Sequence, residues 1–251
     1  MRPEEAAELL RAARAERRTL VRLTDSHPEL DEQWGHAAQA VDRAARLAAG
    51  ERVVGAKLGL TSAPKQQTMG VHQPIVGFLT DAMHDVDPAT LAQPRVEPEI
   101  AFRLGADLSA ELTLEQVGDV VDAVAPALEV LDSRWTGYRF RLADVLADNT
   151  SAAGFVVGEW VPLHDVPDLR DAEARWLVDG EVVATTTPAA ILGDPLLAVV
   201  HLSRHLAEQG ETLSAGSVVL AGAMTDAVPV EGRSRFEVEV AGLGGASLTV
   251  A

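Results

Sequence analysis

Two periodicities divide the chain. Through the first fifty residues apolar positions recur at helical spacing; beyond them they come in short runs punctuated by Gly and Pro. Pro3 stands where a first-turn proline is tolerated, and the Ala-, Glu-, Leu- and Arg-rich run after it predicts a helix to about Arg22. Thr24 to Pro28 is a turn signal. Asp31 reads as the N-cap of a second helix that aligns Trp34, Ala37, Ala38, Val41 and Ala45, with Gly50 as its stop. From Val53 onward the pattern predicts strands over 53–58, 95–104, 126–131, 153–158, 174–179, 217–221 and 235–240, with another at the carboxyl end. Thr113 and Gln116 have capping-box spacing and predict a helix to about Val124. Pro195 opens another, to about Gln209, closed by Gly210. Many short strands with few helices predict an α+β fold on a rolled or barrel-like sheet. No repeat, low-complexity linker or boundary divides it. The expected organisation is one domain over 1–251, with a helical amino-terminal cap over 1–52 and a β-rich core over 53–251.

Alternation within Pro94–Leu104 carries the first chemical signal. As a strand, it puts Val96, Ile100, Phe102 and Leu104 on one face and Glu97, Glu99 and Ala101 on the other. The Cα atoms of Glu97 and Glu99 then stand roughly 6.5–7 Å apart, close enough for both carboxylates to reach one ion. Pro98 between them gives up a ladder donor, which predicts an edge or a bulge. Glu129 sits among apolar residues in Ala125–Leu131, and a buried unpaired carboxylate calls for a cation. Three glutamates offer oxygen donors suited to Mg²⁺ or Mn²⁺. The plainer alternative is a solvated edge strand, with Glu129 paired to an arginine and Lys57 a surface lysine on the strand 53–58.

Composition narrows the classes. Acidic residues number 38 against 21 basic ones, a net charge of −17, which argues against nucleic acid or an anionic membrane as partner. Aromatic content of 4% disfavours a base-stacking platform. The absence of cysteine excludes disulfides, Cys-ligated zinc, iron–sulfur clusters and a thiol nucleophile, and suits a reducing cytoplasm. The longest charge-free run, Gln66 to Thr80, is interrupted by His72 and Pro74, so no membrane helix is expected. The charged amino terminus has no apolar signal core, and a cytoplasmic, unprocessed protein is the expectation.

Several segments together resemble the 2-keto-4-pentenoate hydratase and 4-oxalocrotonate decarboxylase family of the fumarylacetoacetate hydrolase superfamily. They are Gly55–Ser62, Met69–Val71, Pro74–Leu79, Pro94–Phe102, Pro126–Arg134 and Ala147–Ser151, with weaker similarity through Gly216–Ala223. The resemblance implies a rolled mixed β-sheet with a helical amino-terminal part, acting as one catalytic domain. It implies a divalent metal, Mg²⁺ or Mn²⁺, held by Glu97, Glu99 and Glu129 and chelated by the carboxylate and 2-oxo oxygen of a small 2-oxo acid. Lys57 matches the family's lysine beside the substrate, and Leu60, Thr61 and Ser62 match the loop lining it.

Within that family the segments around Glu97-Pro98-Glu99, Gln73–Leu79 and Asp132–Val145 look more like the decarboxylases. The expected activity is decarboxylation of a 2-oxo-enedioate, such as 2-oxo-3-hexenedioate, through a metal-stabilised dienolate. The alternatives are hydration of 2-hydroxypenta-2,4-dienoate on the same chelate and a non-catalytic pseudo-enzyme partner. A dianionic substrate needs cations, and Arg134, Arg139 and Arg141 are expected to supply them. A homo-oligomer is expected, with a hydratase as a further partner. Two departures from the family pattern, Thr186-Thr187-Pro188 and Gly193-Asp194-Pro195, stand where glycines and a histidine are usual and are expected to reshape the pocket wall. His72 stands where an acidic residue is expected. His201 and His205 have two-histidine spacing without a following Glu and read as ordinary helix residues. Gly242–Gly245 reads as a turn, and no serine has a nucleophile elbow.

Overall fold

The computed structural model describes residues 1–166 and 169–251. In chain order the helices are α1 (Pro3–Ala15), α2 (Glu32–Ala48), α3 (Ala63–Met69), α4 (Val117–Val120), α5 (Leu142–Ala147) and α6 (Leu196–Gln209). The strands are β1 (Val53–Gly59), β2 (Ile75–Thr80), β3 (Arg95–Leu104), β4 (Val121–Leu131), β5 (Ala152–Val157), β6 (Val161–Pro162), β7 (Ala174–Val178), β8 (Glu181–Thr186), β9 (Val218–Ala223), β10 (Val228–Pro229), β11 (Arg235–Val240) and β12 (Gly244–Thr249).

An eight-stranded sheet runs β2-β1-β9-β3-β4-β5, with β10 beside β3 and β6 beside β4; β1 and β9 are parallel and the other neighbours antiparallel. A second sheet runs β12-β11-β7-β8. One face of β3 and β4 (Val96, Ile100, Phe102, Leu128, Val130) shares the main core with Trp176, Phe236 and Val238 of the second sheet and with Val199 and Leu202 of α6. The opposite face carries a smaller cluster of Phe78, Leu79, Ala101, Ala127, Phe155 and Leu220, and this is the face of the glutamates. The amino-terminal helices join through Ala6, Leu10, Ala38, Trp135 and Ala147. This α+β architecture, a mixed sheet with a helical amino-terminal part, is the expected one. No described helix is long and apolar enough to cross a membrane.

Local signals hold where they are chemically specific. The Asp31 carboxylate accepts the Trp34 N–H at 2.9 Å, and Gly210 closes α6 in the left-handed region. Gly242 and Gly244 make the β11–β12 turn. Three expectations need correction. α1 stops well before Arg22, because Arg17 turns left-handed (φ 52°) and the Arg18 N–H reaches back to the Ala13 carbonyl. The helix expected to reach Val124 ends at Val120, where Val121 and Val124 enter β4 opposite Leu104 and Phe102; strand pairing overrides the capping signal. Pro98 lies in a central strand, not an edge. Its carbonyl accepts the Met224 N–H, so its nitrogen faces the same side, just past the end of β9, where no ladder donor is called for. The bulge it suggested is present as a register shift between Glu99 and Ala101 against β9. The pattern also passes over β2, which is buried on both faces and shows no alternation.

Candidate active site

Sheet register brings the acids together. Glu97 of β3 stands directly opposite Glu129 of β4, and Glu99 is opposite Ala127. One carboxylate oxygen from each of Glu97, Glu99 and Glu129 lies within 4.8 Å of the others, and all three side chains are buried. Ala101 and Ala127 keep the neighbouring positions small on this face. The solvated-edge alternative is thereby excluded.

Lys57 is 3% exposed, so it is no surface lysine. Its Nζ lies 2.9 Å from Glu129 Oε2 and donates to the Thr150 carbonyl at 3.3 Å. Gly77 is opposite Lys57 in β2, and a Cβ there would meet Thr150 Oγ1 at 2.3 Å and Lys57 Cδ at 3.1 Å, so only glycine leaves room for this stem. Burial on its own disfavours the Lys57 ammonium, yet Glu129, Glu99 and Glu97 together hold its pKa above the ordinary value. Burial, then the Glu129 charge, pushes Glu99 well above the usual carboxylate range, and burial raises Glu129 as well.

Glu99 Oε2 accepts the N–H of Gly222 at 2.8 Å, but Glu99 Oε1 and Glu129 Oε1 are buried with no hydrogen-bond partner among the described residues. Buried carboxylate oxygens with nothing to accept are costly. A converging, oxygen-only donor set of this kind fits a hard divalent cation.

Above the acids lies a cavity of about 450 Å³, lined by Lys57, Lys65, Arg95, Glu97, Tyr138, Thr150 and Ser151, with apolar walls from Leu60, Ile75, Leu131, Phe140 and Val145. A wider groove of about 800 Å³ between α2 and α6 holds His36, His72, His201 and His205 but not the glutamates. His201 and His205 are half-buried there, and the described residues form no metal-binding cluster with them.

The turn Asn149–Ser151 is the most strained part of the wall. Its three residues have φ of 49°, 53° and 62°, a costly region for a β-branched Thr150. Asn149 holds it in place: its side chain accepts the Phe78 N–H and donates to the Phe78 carbonyl, both at 2.9 Å, while Gln39 of α2 donates to Asn149 Oδ1 at 3.1 Å. The result aims the Thr150 carbonyl at Lys57 and leaves the buried hydroxyls of Thr150 and Ser151 without hydrogen-bond partners among the described residues.

Other expected residues fare differently. Leu60 lines the cavity with a left-handed φ of 57°. Thr61 is buried behind it, where its carbonyl accepts the Leu192 N–H and its side chain fills the space a Cβ on Gly222 would need. Ser62 precedes α3 and is not on the lining. Residues 186–195 are not on the lining of the cavity, so the Thr and Asp departures do not form its wall as expected; His72 is exposed in the other groove.

The three arginines are not the cations of this cavity. Arg134 is buried away from it, 2.9 Å from Asp132 and 3.8 Å from Asp148. Arg141 donates to the Thr24 carbonyl and lies 3.7 Å from Asp25, fastening the amino-terminal segment. Arg139 is exposed and not on the lining. Lys65 and Arg95 stand in their place, both passed over by the sequence reading. Arg95 was within reach of it, because the alternation that pairs Glu97 with Glu99 puts Arg95 on the same face.

This site and fold define a carboxylate-centred member of the rolled-sheet α+β enzymes, and the comparisons with known proteins agree. The model of the fumarylacetoacetate (FAA) hydrolase C-terminal family matches residues 56–251. The chain is 44% identical over 210 residues to a 4-oxalocrotonate decarboxylase of a Pseudomonas species, covering 81% of each. It is 37% identical to the 2-hydroxyhexa-2,4-dienoate hydratase of Comamonas testosteroni, over 96% of this chain and 93% of the relative. Among solved structures, the 4-oxalocrotonate decarboxylase from Pseudomonas putida G7, complexed with magnesium and adipate, superposes with a TM-score of 0.93 at 35% identity, over 98% of this chain and 96% of that one. The chain belongs to the fumarylacetoacetate hydrolase family, and within it to the group of 4-oxalocrotonate decarboxylases and 2-keto-4-pentenoate hydratases.

Proposed function

We propose that this protein is a metal-dependent lyase that decarboxylates a 2-oxo-enedioate of the 2-oxo-3-hexenedioate type. The observation that carries the reading is the meeting of three buried carboxylates and one buried lysine beneath a cavity with two further cations on its wall. Glu97, Glu99 and Glu129 are the residues to hold the cation, with Mg²⁺ or Mn²⁺ favoured by their oxygen donors. When bound, such an ion acts as a Lewis acid toward negative charge on the 2-oxo oxygen. A relative sharing 35% identity carries magnesium and adipate, and another structure of that enzyme carries calcium and acetate.

The rest of the chemistry falls to the chain. Loss of CO₂ breaks the bond to the distal carboxylate, and its electron pair passes through the conjugated carbons to the 2-oxo oxygen. Lys57, steered by Glu129 and the Thr150 carbonyl, holds an ammonium proton inside the cavity and is the group placed to move it. The hydroxyls of Thr150 and Ser151 offer donors to substrate oxygens, and Leu60, Ile75, Phe140 and Val145 exclude water. Arg134, Arg139 and Arg141 have no part in this reading.

The second reading is hydration of 2-hydroxypenta-2,4-dienoate, favoured by hydratase relatives 37–40% identical to the chain. Following 2-oxo-3-hexenedioate and the dienoate side by side with Mg²⁺, with CO₂ measured, separates the two. CO₂ release from the diacid is the expected result, and consumption of the dienoate alone overturns it. The reading also takes residues 1–251 as one catalytic unit working in the cytoplasm as a homo-oligomer, with a hydratase as partner for its product. Light scattering of the protein alone and mixed with such a hydratase tests the assembly.

A further inference from the structure

Charge leads from the metal centre to its surroundings. A divalent cation together with Lys57 balances the three glutamates, so the centre itself is neutral and has no charge left for a second carboxylate. Two cations on the same cavity wall are not used up in this way. Arg95 lies two positions before Glu97 on the same face of β3, roughly 6.5–7 Å along the strand. Its guanidinium stacks 4.0 Å from the centre of the Tyr138 ring and makes no ion pair with a carboxylate among the described residues. The Tyr138 platform is itself fixed, since its hydroxyl donates to the Gln93 carbonyl at 3.2 Å and the Gln93 side chain accepts the Gly137 N–H at 3.0 Å. Lys65, on α3, is 36% exposed and only loosely held, 3.5 Å from Glu97 and 4.0 Å from a fully solvated Asp226.

We propose that Arg95 and Lys65 form a subsite for the carboxylate remote from the metal, and that this pair makes the cavity selective for diacids over monoacids. The inference rests on the metal-chelate reading and adds to it the part of the substrate recognised at the other end. A flat guanidinium held against an aromatic ring presents its fork in one orientation and binds a carboxylate with two parallel bonds. The remote carboxylate is also the one that leaves as CO₂, so its contact with Arg95 weakens as the reaction proceeds. An interaction stronger in the ground state than in the transition state tightens binding without raising turnover. Its removal therefore raises KM and kcat together.

Calorimetric titration of the Mg²⁺-loaded protein with 2-oxoadipate and with 2-oxohexanoate tests this directly, because both carry the chelating end and only the first carries the second carboxylate. Wild type is expected to prefer 2-oxoadipate by about tenfold or more, the contribution of a charge-assisted bond. Arg95→Met and Lys65→Met each lose most of that preference, read as the ratio of the two affinities within the same variant. Arg95→Lys, which keeps the charge without the fork, retains part of it, and a thermal melt of each variant confirms that it is folded. Equal affinity of wild type for the two acids, or equal weakening of both in the variants, overturns the subsite and leaves the chelate reading standing. Failure of wild type to bind either acid in the presence of Mg²⁺ overturns both.

Discussion

Lys57 and Glu99 show how single side chains depend on one another in this site. Among the described residues Lys57 is the only cation within 3 Å of Glu129, and the pair is almost wholly buried. Breaking a buried pair by removing one partner costs about 3–5 kcal/mol. Lys57→Met is therefore expected to lose about that much stability in chelator-treated protein, measured by urea unfolding, and to regain part of it with Mg²⁺ as a new positive charge faces the acids. Glu99 behaves oppositely, since burial and Glu129 already disfavour its ionised form. Glu99→Gln can still accept the Gly222 N–H while removing a buried charge. Its chelator-treated form is expected to be at least as stable as wild type, and its stabilisation by Mg²⁺ to vanish. A metal-free variant clearly less stable than wild type would show that the carboxylate, not the amide, is what Gly222 requires.

At the level of elements, the strained turn between α5 and β5 is where the helical layer meets the site. Asn149 is fully buried and supplies both hydrogen bonds to Phe78 on β2, the strand at one end of the sheet order among the described residues. Asn149→Ala leaves a buried N–H and C=O unpaired, each costing about 1–3 kcal/mol. The expected loss of about 2–5 kcal/mol in urea unfolding comes with weaker substrate binding, because the same turn carries Thr150 and Ser151. Asp148 sits just before this turn, between Arg134 and Arg14, at 3.8 and 4.0 Å. Burial outweighs these distant arginines and pushes its pKa up from 3.8 to about 6. The folded state then holds this proton more tightly than the unfolded chain. The stability this adds is complete below the unfolded pKa and is lost as pH rises through about 6, roughly 3 kcal/mol in all. The unfolding free energy of wild type relative to Asp148→Asn is expected to fall between pH 4 and pH 7.5, and a rise over that range would mean the arginines prevail.

For the molecule as a whole, a net charge of −17 makes self-repulsion a standing cost, and part of that charge is concentrated beneath the cavity. A cation that binds only the folded chain relieves it and adds stability by mass action, about 2.7 kcal/mol at a hundredfold excess over Kd. For a chain of this length that corresponds to a rise in Tm of about 5–10 °C on adding Mg²⁺, reversed by chelator. Scanning calorimetry with and without EDTA reads it, and an unchanged Tm in wild type would remove the metal centre from the account. Substrate recognition meets the same imbalance: an acidic chain needs cations where an acidic ligand binds, and Lys65 and Arg95 are on the cavity wall.

The sequence by itself determined the local facts. Alternation placed Glu97 and Glu99 on one face of β3, apolar flanks marked Glu129 as buried, and the chemistry of Asp31, Pro195 and Gly210 set the helix ends where they are. Those signals act over one or two turns of chain, so they survive in a linear reading. Tertiary structure decided everything that depends on register and on which face meets which. The antiparallel pairing of β3 with β4 sets Glu97 against Glu129, and the close approach at Gly77 admits Lys57 beside them. The arginines illustrate the limit most plainly. Arg134, Arg139 and Arg141 stand in a segment that looks like the decarboxylases, yet burial between aspartates, exposure, and a bond to Thr24 take them away from the cavity. The cations that do face the cavity reach it because Arg95 shares a strand face with Glu97 and because folding brings Lys65 of α3 onto the cavity wall, and only the first of these follows from a linear pattern.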